Sequence, residues 1–284
     1  MSTLYVVATP LGNLEDLSPR ARRVLMEADL ILAEDTRVTR RLLNAFQIET
    51  KLESHHLHNE RGSAPRLIAR MQRERLRVAL VSDAGTPAIS DPGARLVRLA
   101  HEAGIQVFAI PGPSALTAAL SVSGCEQTAF TFHGFAPRKQ GELLAFLRAL
   151  PPGLSVLYEA PHRVLALLRA LAEVYPDCPL TICRELTKLH EQTLTGSVAQ
   201  LRARFEAQEG PPRGEFVLLL QVGEQPAPLA LEEAALGLEA RLVDLMAQGL
   251  TLREAQAQLV DGGQRKNAVY AAALRLKELV GQQL

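Results

Sequence analysis

The sequence predicts an α/β protein: a parallel sheet in the first half, a mixed sheet in the second, and a short helical tail. Three observations carry that prediction. Apolar runs of four or five residues alternate with amphipathic helical patterns from Leu4 to Ile110, the pattern of successive strand–helix units. Small-residue, turn-rich stretches follow the runs that end at Ala8, Val81 and Ile110, where open α/β sheets hold their ligands. Beyond Gln225-Pro226-Ala227-Pro228, which reads as a linker, only helical patterns remain. The expected domains are 1–115, 116–224 and 229–284. A chain of 284 residues with 47% hydrophobic content is long and apolar enough for more than one core.

In order, Leu4 to Ala8 is a short strand followed by Thr9-Pro10-Leu11-Gly12-Asn13. Ser18-Pro19 supplies a cap and a first helical residue for a helix to about Ala28. Leu30 to Ala33 is a buried strand ending in Glu34-Asp35-Thr36-Arg37, where Thr36 is expected to cap a helix to Phe46. The two carboxylates and Arg37 are then left for another purpose. His55-His56-Leu57-His58-Asn59-Glu60-Arg61 is the densest titratable cluster, with His56 and His58 on one side of an extended segment. No Cys or His follows at zinc-site spacing, so a hydrogen-bonding loop at a site mouth fits better than a metal centre. A helix from Ser63 to Arg73 precedes the strand Val78 to Val81.

That strand opens onto Ser82-Asp83-Ala84-Gly85-Thr86-Pro87-Ala88-Ile89-Ser90-Asp91-Pro92-Gly93, far more turn chemistry than a short connection needs. Asp91 and Pro92 are expected as N-cap and first residue of the helix to Ala103. Composition alone also allows an ordinary strand-to-helix loop. Gln106 to Ile110 is a further strand, and Pro111-Gly112-Pro113-Ser114-Ala115 leads into a small-residue helix.

In the second half Phe130 to Phe132 is strand-like, and Gly134 to Lys139 enters a helix. The strand Leu154 to Tyr158 ends at Glu159-Ala160-Pro161-His162-Arg163, and Leu180 to Cys183 ends at Arg184-Glu185-Leu186-Thr187-Lys188. Strands at Gln192 to Thr195 and Phe216 to Val222 flank a helix from Ser197 to Ala207. Past the linker, amphipathic helices span Leu231 to Leu245 and Leu252 to Val260, and a last helix carries Arg265, Lys266, Arg275 and Lys277. This tail fits a helix-turn-helix-like unit or a capping or dimer-forming bundle.

The bulk numbers narrow the classes. Basic and acidic residues balance at 31 each, so no global polyanion-binding charge exists. Three cysteines without a CxxC pair point to buried thiols in a reducing compartment. Neither a secretory signal pattern nor a membrane-length apolar run is found, so a cytoplasmic protein is expected. No strand is followed by G-x-G-x-x-G, and G-x-x-x-x-G-K-[ST] does not occur, so dinucleotides and nucleoside triphosphates lose their usual signals.

The motifs Thr9 to Leu14, Ala33 to Arg37, Asp83 to Gly93, Pro111 to Ala115, Tyr158 to Arg163 and Arg184 to Lys188 occur in one order. In that order they resemble the ribosomal RNA small-subunit methyltransferase I family, over roughly Leu4 to Val222. This family belongs to the tetrapyrrole-methylase-like class III methyltransferases. The resemblance implies two α/β domains of the tetrapyrrole methylase type, with S-adenosylmethionine in the cleft between them, plus a small C-terminal helical segment. It also implies a homodimer, and 2′-O-methylation of a cytidine in the decoding region of 16S ribosomal RNA, acting on the small ribosomal subunit. The glycine-rich first loop of the tetrapyrrole branch is replaced here by Thr9 to Asn13, which favours the RNA branch.

Carried over by position, the resemblance implies cofactor contacts from Pro10, Asp83, Gly85, Thr86, Ile89, Ser90, Ser114, Ala115, Tyr158, Glu159, Leu186 and Gly214. Substrate contacts would come from Arg37, His56, His58, Asn59, Arg163, Arg184 and Lys188, with no metal. His55 stands where the family often has tyrosine, and Leu57 where it often has an acidic residue. A ribose hydroxyl benefits from a positioned base. The candidates are Glu34, Asp35, Glu60, Glu185 and Glu191, with Asp35 and Glu185 favoured because each has a basic neighbour at a strand end. Structural ion pairs are the other reading of those two. Two further functions stay open: a methyltransferase acting on a small molecule or another RNA, and a non-catalytic RNA-binding assembly factor.

Overall fold

The computed structural model describes residues 1–223 and 237–281. The chain divides into two compact units, Met1–Gly223 and Glu224–Leu284. The first unit holds two five-stranded sheets in succession. Strands β1 (Thr3–Val7), β2 (Leu30–Ala33), β3 (Leu52–Ser54), β4 (Arg77–Val81) and β5 (Gln106–Ile110) lie in the order β3-β2-β4-β1-β5. Every pairing is parallel, so all five carboxyl ends share one edge.

The apolar runs are continuous because both faces of this sheet are covered. Leu30, Leu32, Val78 and Leu80 pack with Ala64 and Met71 of α3 (Leu57–Glu74) and Leu96 of α4 (Ala94–Glu102). Ile31, Ala33, Ala79 and Val81 pack with Leu25 of α1 (Pro19–Glu27) and Leu43 of α2 (Thr36–Ala45). Strand β3 has no counterpart in the sequence reading, since Leu52-Glu53-Ser54 shows no apolar run. It exists through its pairing with β2.

Three helix starts differ from expectation. Asp35, not Thr36, caps α2, its side chain accepting from Arg37 N. Helix α3 begins at Leu57 with His56 as cap, so His56 and His58 lie at a helix start and not on an extended segment. Helix α4 is preceded by Gly93, not by an Asp91 cap. Gly93 has φ +127°, outside the helical range, and a Cβ there would meet Leu80 Cδ2 at 2.5 Å.

The second sheet holds β6 (Phe130–Phe135), β7 (Gly153–Glu159), β8 (Pro179–Arg184), β9 (Gln192–Ser197) and β10 (Phe216–Val222), ordered β6-β7-β10-β8-β9. The β6–β7 pairing is parallel and the other three are antiparallel. Helices α6 (Gln140–Arg148), α7 (Val164–Val174) and α8 (Val198–Glu206) cover one face. Helix α5 (Ala115–Val122), which leaves the first sheet after β5, lies against the other, with Ala119 buried beside Val156, Val217 and Leu219. Strand β6 runs further than its sequence pattern, through a bulge between Phe132 and Gly134.

The second unit contains α9 (Leu238–Ala247), α10 (Leu252–Asp261) and α11 (Lys266–Gly281) around Leu242, Ala255, Leu259, Val269 and Ala272. Arg275 Nε donates to Glu239 Oε1 at 2.6 Å across this bundle. The expected linker at 225–228 and the 231–236 part of the first expected tail helix lie outside the described residues.

Candidate active site at the carboxyl edge of the first sheet

Hydrogen bonds join the loops after β1, β4 and β5 into one rim. Thr9 N donates to Gly85 O at 2.9 Å and Gly85 N to Thr9 O at 3.0 Å. Thr9 Oγ1 donates to Ser82 O at 3.1 Å, and Thr86 Oγ1 to Pro113 O at 3.0 Å. Gly112 passes so near Ala8 that an added Cβ would stand 3.0 Å from Ala8 Cβ. Pro10 and Gly85 are buried within the rim, Thr86, Ser90, Ser114 and Ala115 are half-buried, and Ile89 is exposed.

The end of β2 joins the rim through one bond: Asp35 N donates to Asp83 Oδ1 at 3.0 Å. The Asp35 carboxylate accepts Arg37 N at 2.8 Å and the Arg37 guanidinium at 2.6 Å through Nη2. The Arg37 bond holds the Asp35 carboxyl down at about 2, which makes it a weak proton acceptor. Glu34 is the opposite case. Burial, with the like charges of Asp91, Asp83 and Asp35, pushes its carboxyl up to about 7. Burial also raises Asp91.

Across from this rim stands the end of β7. Tyr158 meets the rings of Phe132 at 4.9 Å and Phe135 at 5.8 Å, both edge-on. Burial raises the Tyr158 hydroxyl to about 12, with Asp91 adding to the shift. Ile89 and Ser90 of the rim and Phe132 to Phe135 of β6 line an open pocket of about 320 Å³. Glu159 is almost wholly buried; Oε1 accepts Ala160 N at 2.8 Å, and Oε2 has no hydrogen-bond partner among the described residues.

The β8–β9 connection closes the arrangement. Glu185 and Thr187 have φ of +53° and +66°, a strained state for a β-branched residue, of the kind that concentrates at functional sites. Thr187 N donates to Glu191 Oε2 at 2.6 Å, and Glu185 N to Glu215 O at 3.0 Å. Burial works upward on Glu185, yet bonds from Lys188 Nζ at 2.9 Å and Glu215 N at 3.1 Å outweigh it and hold the carboxyl below its ordinary value. Gly214 leaves room for that side chain: a Cβ would stand 2.5 Å from Glu185 Cγ. Leu186 is buried against α5. The Lys188 stem crosses to the first half and lies on Gly12, where a Cβ would meet Lys188 Cγ at 2.5 Å.

The residues expected at the substrate are distributed differently. The Arg37 side chain is 86% exposed. His56 and Asn59 form a reciprocal capping box at the start of α3, and the His58 side chain lies outside the described residues. Arg163 turns inward, donating to Ala136 O at 2.9 Å and Pro137 O at 2.8 Å. Arg184 donates to Arg213 O at 2.7 Å and lies over the Phe216 ring. Of the five candidate bases, Asp35, Glu60, Glu185 and Glu191 are each engaged in bonds to neighbours. Among the described residues nothing hydrogen-bonds the Glu34 carboxyl. Asp35 outranks it by sequence, having a basic neighbour two residues on, whereas the carboxylates that raise Glu34 arrive from the β4 loop only on folding. Thr9, Phe132 and Phe135 are not among the sequence candidates and Asp91 is expected there only as a helix cap, although the alternation Phe130-Thr131-Phe132 signals a face with two rings.

Residues 3–202 match the family model described as Tetrapyrrole (Corrin/Porphyrin) Methylases. Uroporphyrin-III-C-methyltransferase from Thermus thermophilus is similar at TM-score 0.55 and 24% identity, covering 77% of this chain and 94% of its own. A cobalt precorrin-4 methyltransferase is similar at TM-score 0.55 and 16% identity, covering 76% and 94%. Fold and family model together define a methyltransferase of the tetrapyrrole methylase class.

Curated relatives narrow the class. Ribosomal RNA small subunit methyltransferase I of Neisseria meningitidis serogroup B is 43% identical over 279 residues, 97% of this chain and 94% of its own. The protein of the same name from Synechocystis sp. is 46% identical over 266 residues, 92% and 93% of the two chains. That from Thermotoga maritima is 44% identical over 224 residues, 78% of this chain and 98% of its own. This chain belongs to the ribosomal RNA small subunit methyltransferase I family.

Proposed function

We propose that this protein methylates the ribose 2′-hydroxyl of a cytidine in the decoding region of 16S ribosomal RNA, with S-adenosylmethionine as donor. The observation that carries the reading is the Glu34 carboxyl at the end of β2, raised to about 7 beside Asp83 and Asp91 of the β4 loop and hydrogen-bonded to nothing among the described residues. A base poised near the working pH suits removal of a hydroxyl proton. The names of the curated relatives support the substrate class.

The residues present fit the donor. Gly85, at φ +80°, and Gly112 keep the rim free of side chains where loops approach closely, and Glu34, Asp83 and Asp91 give a carboxylate-rich wall suited to a cation. S-adenosylmethionine, when bound, supplies a methyl group already activated by its sulfonium charge. The chain then has to hold, orient and exclude water. Pro10, Asp83, Gly85, Thr86, Ile89, Ser90, Ser114, Ala115, Tyr158, Glu159, Leu186 and Gly214 would form the donor side. Glu159 would act from within, by fixing Ala160 N.

Glu34 would accept the ribose proton. Asp35 and Glu185, engaged by Arg37 and Lys188, would set the rim and the β8–β9 connection. Phosphates would meet the exposed arginines of α2, Arg37, Arg40 and Arg41, since contacts to RNA depend on local charge. A homodimer accords with exposed Phe108 on edge strand β5 and exposed Phe130 and Phe135 on edge strand β6, and a cytoplasmic location accords with a ribosomal substrate. Nucleoside mass spectrometry of 16S RNA from cells with and without the gene tests the reading. An unchanged 2′-O-methylcytidine content, or methylation of a free tetrapyrrole by the purified protein, would refute it.

A further inference from the structure

Glu60 stands in the first turn of α3 and reaches across to the start of α4. Its Oε1 accepts a hydrogen bond from Gly93 N at 3.0 Å. Helix α4 has no side-chain cap of its own, and Glu60 takes the place that a Glu or Gln three residues into the helix fills in a capping box, accepting the N–H of the N-cap residue. A carboxylate at a helix N-terminus also gains from the helix dipole.

The same oxygen faces His55 Nε2 at 3.7 Å. His55 is wholly buried. Its Nδ1 shares a hydrogen bond with Ser63 Oγ at 3.2 Å, and its backbone N donates to Ala33 O at 2.7 Å. Glu60, only 8% exposed, is thus anchored from below by the end of β2 and its own helix. Gly93 has little freedom on its side, given its φ of +127° and Leu80 Cδ2 standing 2.5 Å from where a Cβ would be. Ile89 and Ser90, just upstream of Gly93, line the pocket between the rim and β6.

We infer that Glu60 is a positioning residue that holds Gly93, and with it the Ile89-to-Gly93 floor of the donor pocket, from the same helical turn that carries His56 and Asn59. One carboxylate thereby sets the donor floor and the expected acceptor side relative to each other. This rests on the donor-pocket reading proposed above.

The test is calorimetric titration of the full chain with S-adenosylmethionine, together with amide exchange across 86–96. E60A is expected to bind about tenfold more weakly, the effect of losing one bond to a charged group in a buried setting. E60Q keeps an oxygen for Gly93 N and is expected to stay within about threefold of the unaltered protein. Unaltered affinity in E60A, or E60Q as weak as E60A, overturns the inference. Should E60A fail to fold, E60D keeps the charge but withdraws it by one methylene. It is expected to lose affinity, and wild-type affinity in it overturns the inference equally. A merely structural role would lower melting temperature in these variants without the rescue of affinity by glutamine. Absence of binding by the unaltered protein would refute the donor reading instead. Exchange at Gly93 then decides the tether: faster in E60A and E60D but not in E60Q if it exists, unchanged in all if it does not.

Discussion

Asp83 Oδ1 accepts the Asp35 amide at 3.0 Å, joining the carboxyl ends of β4 and β2 and crowding the Glu34 carboxyl with like charge. Glu34 is therefore expected to be protonated in much of the protein below about pH 7. As a base it acts only when ionised. The kcat/KM of the unaltered protein should climb up to tenfold per pH unit below that value and level off above it. E34Q should lower kcat by at least about a hundredfold, the usual share of a positioned base, and flatten the profile. Methyl incorporation into 16S RNA across pH 5.5 to 8.5 measures both.

The same residue predicts a stability change of opposite sense. Its folded pKa lies above the ordinary 4.5, so its contribution to stability is full below that value and is lost as pH rises through about 7. E34Q lacks the loss. At pH 8 it should be more stable than the unaltered protein by on the order of 1 kcal/mol, allowing for solvent screening of a half-buried group. At pH 4.5 the two should melt together. Urea titrations at the two pH values decide it.

Asp35 should behave as a cap. D35A removes the acceptor of Arg37 N and is expected to cost about 1 kcal/mol. In a protein of this size that is roughly 2–4 °C of melting temperature. D35N keeps the acceptor and should retain kcat within about tenfold of the unaltered protein, against the hundredfold loss expected for E34Q. Comparable losses in D35N and E34Q would move the base to Asp35.

Gly214 should not tolerate a side chain. Its φ of +92° and the 2.5 Å approach to Glu185 Cγ oppose a Cβ, so G214A should cost about 1–3 kcal/mol. The Glu185–Lys188 pair should shift with it. A weaker affinity for S-adenosylmethionine, read by calorimetry alongside the melt, would accompany the loss.

Arg40 and Arg41 are exposed on α2. If both meet phosphates, the R40A/R41A double variant should bind 16S RNA more weakly regardless of sequence. The slope of log affinity against log salt should fall by about 0.7 per lost contact on single strands. Affinity for S-adenosylmethionine should not change.

What was legible in the sequence was local. Ser18 caps α1 with Pro19 following, as its spacing requires, and the continuous apolar runs Leu30 to Ala33 and Val78 to Val81 read directly as strands covered on both faces. The loops after Ala8, Val81 and Ile110 do share an edge, because parallel pairing leaves them no other place. Helix starts were less legible wherever a distant group supplied the cap. Gly93 is capped from Glu60, 33 residues away, and no local pattern announces that. Strand β3 was invisible because pairing with β2, not side-chain pattern, makes it a strand.

Apart from β3, the sequence by itself determined the order of strands and helices and the turn-rich loops, since these follow from periodicity and residue type, and its ordered motifs carried the resemblance to the family. Only the tertiary structure decided which carboxylate at the rim is unbonded. Glu34, Asp35, Glu60, Glu185 and Glu191 are chemically alike, and what separates them is the partner each meets after folding. Arg37, Gly93 N, Lys188 and Thr187 N engage four of them. Burial beside Asp83 and Asp91 of the loop after β4 leaves Glu34 without such a bond and with a raised pKa.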